Sequence, residues 1–261
     1  LKNGDRVMAT GRDLLKRREL LSDLRKQYPQ TLSEYSLDVT VAAEREQLVR
    51  NLGALDILVN NAGYGLTGAL EDLSEDQIRH QMEVNFFGTV LLTQACLPRL
   101  RESKGRIFNL SSVLGFMGLP LTSLYCASKF AIEGFSESLS LELDQHGVQV
   151  CLIQPGAFRT NFAKGLLWGA RSLESRSPYR AQSEKYEQLQ KRVMSESQTS
   201  DPQEVATTIV QLSLKKKMPL RVRCGKDAQA SHLAKSLIPA GLFQIASQRV
   251  FRKAFSKDPQ K

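Results

Sequence analysis

Residues 109–129 read NLSSVLGFMGLPLTSLYCASK, and this stretch brings a serine, a tyrosine and a lysine together at a spacing that suggests chemistry. Tyr125 and Lys129 are four residues apart, so on a helix they lie on the same face, one turn from each other. A nearby ammonium favours the phenolate and brings a phenol, whose ordinary pKa is about 10, closer to proton transfer at neutral pH. Ser112 precedes a glycine- and proline-rich loop that can fold its hydroxyl back beside the phenol.

On its own, a Y-x-x-x-K pair also fits an ordinary solvated helix. Further motifs stand elsewhere in the chain: NNAG at 60–63, Asn85 within VNFFGT, and PGAFRT at 155–160. Together and in this order they resemble the short-chain dehydrogenase/reductase family, over nearly the whole chain. The segment GLPLTSLYCASKFAIEG is most similar to the 17β-hydroxysteroid dehydrogenase and retinol dehydrogenase branch of that family.

This resemblance implies an oxidoreductase that transfers a hydride between a nicotinamide cofactor and a carbonyl or secondary alcohol of an apolar substrate. Tyr125 is then the catalytic acid or base, and Ser112 hydrogen-bonds the substrate oxygen. Lys129 lowers the pKa of Tyr125 and binds the nicotinamide ribose. Asn85 interrupts an apolar run and, by resemblance, bends its helix around a water in a proton relay; plain hydrogen-bond satisfaction of a buried amide is the alternative.

The resemblance also implies cofactor-binding residues near strand ends: Gly11, Arg12, Asp38, Val39, Asn61, Ala62, Gly63, Tyr125, Lys129, Pro155, Gly156 and Thr160. Gly11 stands where NAD-preferring members carry an acidic residue, and the guanidinium of Arg12 can fork onto the 2′-phosphate of NADP. We therefore expect NADP as the cofactor. The alternative is that Arg12 caps a solvated turn beside Asp13, and Asp38 either contacts the adenine or closes a strand at the surface.

Alternating strand and helix segments predict an α/β fold, a Rossmann-like doubly wound parallel sheet with helices on both faces. Strands are predicted at 6–10, 35–39, 55–59, 106–110, 148–153 and 220–224, and the first helix at 14–28. We expect one domain over 1–261, with a substrate lid near 163–200 and a basic amphipathic tail near 230–261. Trp168 is expected to supply the apolar face of the lid with Phe162, Leu166 and Leu167. The tail can cover the cleft, pair with another subunit or rest on a membrane.

The chain opens with what resembles the last turn of a helix, closed by Gly4, followed directly by a strand. A dinucleotide-binding fold begins instead with a strand, a glycine-rich turn and a helix. We therefore expect an N-terminally incomplete domain in which the first strand and the phosphate-binding turn are missing. Gly63, Gly65 and Gly68 match G-x-G-x-x-G, but the next helix has its N-cap only at Ser74, so we do not assign them to the phosphate.

Without a phosphate-binding turn, a non-catalytic cofactor-fold unit for binding or oligomerisation is the alternative to an enzyme. A hydrolase is not expected, because His80, His146 and His232 lie in no nucleophile-elbow context and G-x-S-x-G is absent.

Length and composition fit one α/β domain, since 261 residues with 41% hydrophobic content can bury a sizeable core. No apolar run reaches membrane-spanning length and no leader opens the chain, so we expect a cytoplasmic protein. Four cysteines without C-x-x-C spacing are expected to be buried and to hold no metal: Cys96, Cys126, Cys151 and Cys224.

The net charge of +9 is concentrated in the C-terminal part. Residues 1–163 contain 17 Lys and Arg against 19 Asp and Glu, whereas residues 164–261 contain 19 against 8. The basic residues form no nucleic-acid motif, so we expect no nucleic acid as partner; solvated charge and contact with a membrane surface remain open. We expect a homo-oligomer that acts on a small apolar molecule.

Overall fold

The computed structural model describes residues 1, 4–12, 14, 19, 21–162, 165–195 and 200–255, and their side chains except those of 193–195. Strands and helices alternate along these residues. In chain order they are β1 Val7–Gly11, α1 Ser22–Gln27, β2 Leu32–Ser36, α2 Ala42–Asn51, β3 Ile57–Asn60, β4 Leu66–Thr67, α3 Glu75–Met82, α4 Gly88–Ser103, β5 Arg106–Leu110, α5 Ser123–Asp144, β6 Gln149–Pro155, β7 Leu167–Trp168, α6 Arg180–Ser195, α7 Gln203–Ser213, β8 Arg221–Cys224, α8 Lys226–Leu237 and α9 Ala240–Phe255.

The main sheet is parallel, with strand order β3-β5-β6-β8, and β1 and β2 form a second parallel pair. Ile107 and Phe108 of β5 and Leu152 of β6 have no exposed surface, because helices cover both faces of the sheet. This confirms the predicted α/β architecture. Short β4 and β7 pair with each other in a third parallel sheet, which ties the loop after β3 to the start of the expected lid.

A slot separates the two larger sheets. Among the described residues no strand lies between β1 and β3, so the edges of these strands are not paired with each other. The slot has a volume of about 490 Å³ and is lined by Met8 and Thr10 of β1 and by Val59 of β3, among others. Val59 is 42% exposed although its strand belongs to the main sheet. The described strands of the two larger sheets therefore do not form one continuous sheet.

The second predicted strand, 35–39, is displaced in the structure. β2 covers Leu32–Ser36, and Asp38 lies in the turn that follows. Oδ1 of Asp38 accepts hydrogen bonds from the amide (2.9 Å) and the hydroxyl (2.7 Å) of Thr40. This local side-chain turn competes with strand pairing, which is why the strand ends before Asp38.

Of the helix predicted at 14–28, the structure describes an α-helix only at Ser22–Gln27, which is α1. Residues 13, 15–18 and 20 lie outside the described residues, as do residues 2 and 3 of the expected opening turn. Residues 163, 164 and 196–199 of the expected lid and 256–261 of the tail also lie outside them.

A long helical segment starts at the predicted cap. The Ser74 hydroxyl accepts a hydrogen bond from the amide of Gln77, whose side chain accepts one from the amide of Ser74, which forms a capping box. The segment passes through α3, a π-helical turn at Glu83–Phe87 and α4. Asn85 lies in the π-helical turn, so the expected irregularity of the helix at this residue is present.

All four cysteines are buried and free, as predicted. None of the helices within the described ranges is long and apolar enough to cross a bilayer.

The hydrogen-bond pattern shows which amides face the slot. The amide of Val7 donates to Thr31 O (2.7 Å) and so faces β2. Because successive amides of a strand point to opposite edges, Met8 and Thr10 turn their amides away from β2 and into the slot. By the same alternation, Val59 turns its amide away from β5.

We expect these three amides to exchange with deuterium roughly 100-fold faster, or more, than amides of Ile107 and Leu152, which lie inside the main sheet. Hydrogen exchange resolved by NMR measures this directly. Equal protection of Met8, Thr10 and Ile107 would show that the edges of β1 and β3 are paired in solution.

Candidate active site

Ser112, Tyr125 and Lys129 all line one cavity of about 810 Å³. Ser112 follows the carboxyl end of β5, and its Oγ accepts a hydrogen bond from the amide of Leu114 (3.1 Å). Tyr125 lies in the first turn of α5 and Lys129 one turn later. Strand β5 and helix α5 therefore present the three side chains to the same space, as the spacing predicted.

Burial raises the pKa of Tyr125, and hydrogen bonding from Ser112 acts in the opposite direction without cancelling it. The ammonium of Lys129 lies 5.7 Å from the centre of the Tyr125 ring. The pKa of Tyr125 is therefore above its ordinary value, because removal of the phenol from water dominates, and the expected lowering by Lys129 stays a prediction. At neutral pH the phenol therefore carries its proton.

Lys129 is only 7% exposed, and its Nζ donates a hydrogen bond to Leu110 O (2.7 Å) at the end of β5. Burial lowers the pKa of Lys129 to about 8, and the negative charge of Glu133 acts in the opposite direction. Glu133 is itself fixed: Oε1 accepts from Gln154 (2.9 Å) and Oε2 from Arg221 (2.8 Å).

Asn85 holds the loop after β3 against α5. Its Oδ1 accepts from the amide of Tyr64 (3.0 Å), and its Nδ2 donates to Tyr64 O (2.9 Å) and to the Ser128 hydroxyl (3.2 Å). A Cβ atom at Gly63 would lie 3.2 Å from Oδ1 of Asn85 and 3.9 Å from Nζ of Lys129. The bare backbone of Gly63 thus leaves room beside both groups.

The residues expected to hold a cofactor divide between the two spaces. Gly11, Arg12, Asp38, Val39, Asn61, Ala62 and Gly63 line the slot, whereas Asn61, Gly63, Tyr125, Lys129, Pro155, Gly156 and Thr160 line the cavity. Slot and cavity share Val59, Asn61 and Gly63. An elongated dinucleotide fits this pair of joined spaces, although no described glycine-rich turn leads directly into a helix beside the slot.

Both hydrogen bonds of Asp38 to Thr40 use Oδ1, which leaves Oδ2 available at the slot. Its pKa is below the ordinary value: burial acts to raise it, but the hydrogen bonds from Thr40 and the charges of Arg12 and His80 outweigh burial. Arg12 is exposed at the slot.

The far wall of the cavity comes from residues that the sequence motifs missed. They lie on α6, α7 and α8: Tyr186, Leu189, Gln190, Val205, Ala206, Ile209, Asp227 and Ser231. Burial raises the pKa of Tyr186, and hydrogen bonding from Gln190 acts against it. The only available signal was the helical spacing of Tyr186, Leu189 and Gln190, which is equally typical of a packing face.

Trp168 does not line the cavity, so its expected role in the apolar face is wrong. Its ring packs edge-on against Tyr186, with 6.3 Å between centroids. Leu167 is 50% exposed and also lies outside the lining, whereas Phe162 and Leu166 do contribute to it.

Asp227 fixes the turn after β6. Its Oδ2 accepts a hydrogen bond from the amide of Ala157 (2.6 Å), and a Cβ atom at Gly156 would collide with its carboxylate. Glycine at 156 is therefore required by the close approach of α8, in addition to any contact with a ligand.

Comparisons with known proteins agree with this geometry. Residues 1–167 match the short chain dehydrogenase family. The 3-ketodihydrosphingosine reductase of Bacteroides thetaiotaomicron is 36% identical over 215 residues, which cover 80% of this chain and 77% of that protein. Human 17-beta-hydroxysteroid dehydrogenase type 1 is 40% identical over 210 residues, which cover 77% of this chain and 63% of that protein. The crystal structure of a short-chain dehydrogenase from Streptomyces avermitilis has a TM-score of 0.76 at 31% identity and covers 97% of this chain and 88% of that chain.

The lowered pKa of Lys129 predicts a pH-dependent stability effect. Below pH about 8 the side chain is charged in the folded protein, and burial of this charge lowers the free energy of unfolding. Above its ordinary pKa of 10.5 the amine is neutral in both the folded and the unfolded chain, so this effect disappears. We expect Lys129→Met to raise the free energy of unfolding by about 1–3 kcal/mol at pH 7, allowing for the lost hydrogen bond to Leu110. The gain should shrink between pH 8 and 10.5.

Urea unfolding of parent and variant across this pH range measures the difference. Lys215→Met, at an exposed position, is the matched control and should stay within about 0.5 kcal/mol of the parent. A gain for Lys129→Met that does not change with pH would contradict the assignment of the lowered pKa to burial of the charge.

Proposed function

Because this chain belongs to the short chain dehydrogenase family and is an oxidoreductase, we propose that it reduces the carbonyl group of an apolar small molecule with NADPH. The observation that carries the proposal is the meeting of Ser112, Tyr125 and Lys129 at one cavity wall. When bound, the cofactor supplies the hydride. Supply of NADPH in cells favours reduction over oxidation.

Each of the three side chains has a separate task. The raised pKa of Tyr125 keeps the phenol protonated, so it can give its proton to the carbonyl oxygen. Ser112 donates a hydrogen bond to the same oxygen as negative charge develops there. Lys129, protonated below pH about 8, provides positive charge near the phenol and binds the nicotinamide ribose. Asn85 supports the proton relay by holding the backbone of Tyr64 beside Gly63.

The cavity supports an apolar substrate. Its lining includes Leu114, Met117, Leu119, Phe162, Leu166, Leu189, Val205 and Ile209. A volume of about 810 Å³ lies within the range of sites for drug-sized ligands. The names of two relatives, a 3-ketodihydrosphingosine reductase and a 17-beta-hydroxysteroid dehydrogenase, refer to molecules with a large hydrocarbon body and one reacting oxygen. We propose a steroid-, retinoid- or lipid-like carbonyl compound.

NADP preference rests on the slot. Gly11 has no carboxylate to repel a 2′-phosphate, and exposed Arg12 is available to bind it. Asp38 and Val39 would contact the adenine side, and Pro155, Gly156 and Thr160 the nicotinamide side.

We further propose a cytoplasmic location and assembly with copies of itself. Four buried free thiols suit a reducing compartment. For the contact between copies we propose helix α5, on which Leu141 is 76% exposed.

Tyr125→Phe is expected to lower kcat for carbonyl reduction by roughly 10²–10⁴-fold, because the proton donor is removed. NADPH consumption with a long-chain 3-ketone and a 17-ketosteroid measures turnover, and fluorescence titration measures cofactor binding, which should change little. Tyr35→Phe, outside both the slot and the cavity, is the control. Turnover within threefold of the parent would remove Tyr125 from the mechanism; NADPH binding by the parent without turnover of any ketone would favour a non-catalytic binding unit.

Gly11→Asp is expected to shift preference from NADPH toward NADH by at least about tenfold in kcat/KM, because a carboxylate is placed against the 2′-phosphate. The substitution should fold, since a Cβ atom at Gly11 meets only Leu14 at 3.7 Å. Gly53→Asp, in an open exposed loop, is the control and should leave the preference unchanged. Equal kcat/KM of the parent for both cofactors would refute the NADP assignment.

A further inference from the structure

Helix α9 has an inner and an outer side. Phe243, Phe251 and Phe255 are half-buried and face the protein, and the Phe255 ring stacks on Tyr186 at 6.5 Å between centroids. The large aromatic side chains of α9 are therefore used in holding the helix against α6 and the cavity wall.

The outer side of α9, which we call the C-terminal face, carries Leu242, Ile245, Arg249 and Arg252, and Val250 lies on the flank of the helix, seven residues after Phe243. Spacings of three and four residues place Leu242, Ile245, Arg249 and Arg252 along one stripe of the helix. Leu242 is 59% exposed, Ile245 47% and Val250 63%. Both arginines are exposed as well.

The connection before α9 adds to this apolar surface. Leu237, the last residue of α8, is 73% exposed, and the following Ile238 is 39% exposed. Nothing in the described part of the chain covers these aliphatic side chains, so the fold leaves them exposed. An amphipathic stripe of this kind, aliphatic and basic together, is typical of a helix that lies in a membrane interface.

Charge identifies the kind of partner. From residue 228 to residue 255 the sequence contains no Asp or Glu, but it contains Lys235, Arg249, Arg252 and Lys253. The Lys235 ammonium lies over the Phe130 ring, 5.7 Å from its centre, so it belongs to the protein surface around α5. A second copy of the same face would add further basic charge, whereas an anionic lipid surface neutralises it.

We propose that the C-terminal face rests on the surface of a bilayer that contains anionic lipids. Its aliphatic side chains enter the boundary between headgroups and acyl chains, and Arg249 and Arg252 bind lipid phosphates. The helix lies on the membrane and does not cross it.

This orientation brings the cavity close to the lipid. Ser231 of α8 lines the cavity, and Phe255 of α9 stacks on Tyr186, which lines it too. The helix that carries the docking surface thus packs against helices that form the cavity wall. Vesicle binding is nevertheless independent of the proposed reaction, so failure of one proposal leaves the other standing.

Cosedimentation of the full 261-residue chain with vesicles tests the proposal. Phosphatidylcholine vesicles are compared with vesicles that also contain about one-third phosphatidylserine. We expect the parent to bind the anionic vesicles much more strongly. The variant Arg249→Gln/Arg252→Gln should partition about 30-fold more weakly, from roughly fivefold for each basic residue at the surface. Leu242→Ser/Ile245→Ser should weaken binding to the anionic vesicles by at least about tenfold.

The matched control is Lys215→Gln/Lys216→Gln, which removes the same charge from an exposed site. The carbonyls of Lys215 and Lys216 accept hydrogen bonds from Arg106 and Gln149, at the opposite strand ends from Ser112. This control should bind like the parent. Circular dichroism checks the fold of every variant, and loss of parent binding when NaCl is raised to about 0.5 M tests the electrostatic part without any substitution.

Three results would overturn the proposal. One is failure of the parent to prefer the anionic vesicles. The second is an equal loss of binding in the lysine control, which would indicate attraction by net charge alone. The third is a change of oligomeric state in Leu242→Ser/Ile245→Ser with unchanged vesicle binding, which would assign the face to a subunit contact.

Discussion

The buried ammonium of Lys129 is the constraint on which the site depends. A positive charge that is almost removed from water is tolerated only where hydrogen bonds and an opposite charge compensate for its lost hydration. Leu110 O accepts its hydrogen bond, and Glu133 supplies the charge. Glu133 is in turn held by Gln154 and Arg221, so the groups that surround this cation come from β5, β6, β8 and α5. The position of the reactive phenol on α5 thus depends on contacts that extend across the main sheet.

Residues at strand ends were predictable from the sequence, because the carboxyl ends of parallel strands converge at one edge. The helical spacing likewise brought Tyr125 and Lys129 to the same face. The direction of the pKa of Tyr125 was not predictable, since burial of the phenol depends on packing by distant segments. Strand β2 was misplaced for a local reason, the side-chain turn of Asp38 with Thr40. Tyr186 and Asp227 reach the cavity only through tertiary packing and belong to no motif.

The two ends of the chain contribute differently to the site. The family match covers residues 1–167, which contain the serine, tyrosine and lysine and the slot. The opposite wall of the cavity is formed by α6, α7 and α8, which follow that range. The proposed reaction chemistry therefore rests on residues inside the matched range, whereas the opposite wall of the cavity comes from residues that follow it. The hydrogen bond between Ala157 and Asp227 joins the two at the turn after β6.

The aromatic contacts around Tyr186 make the protein optically informative. Trp168 is the only tryptophan in the sequence, so intrinsic emission excited at its absorption edge has a single source. Its ring packs against Tyr186, which in turn stacks on Phe255 at the end of α9. A ligand that displaces Tyr186 and a movement of α9 both change the surroundings of this one indole. The colour and intensity of its fluorescence consequently record events inside the cavity and at the C-terminal helix without any added label.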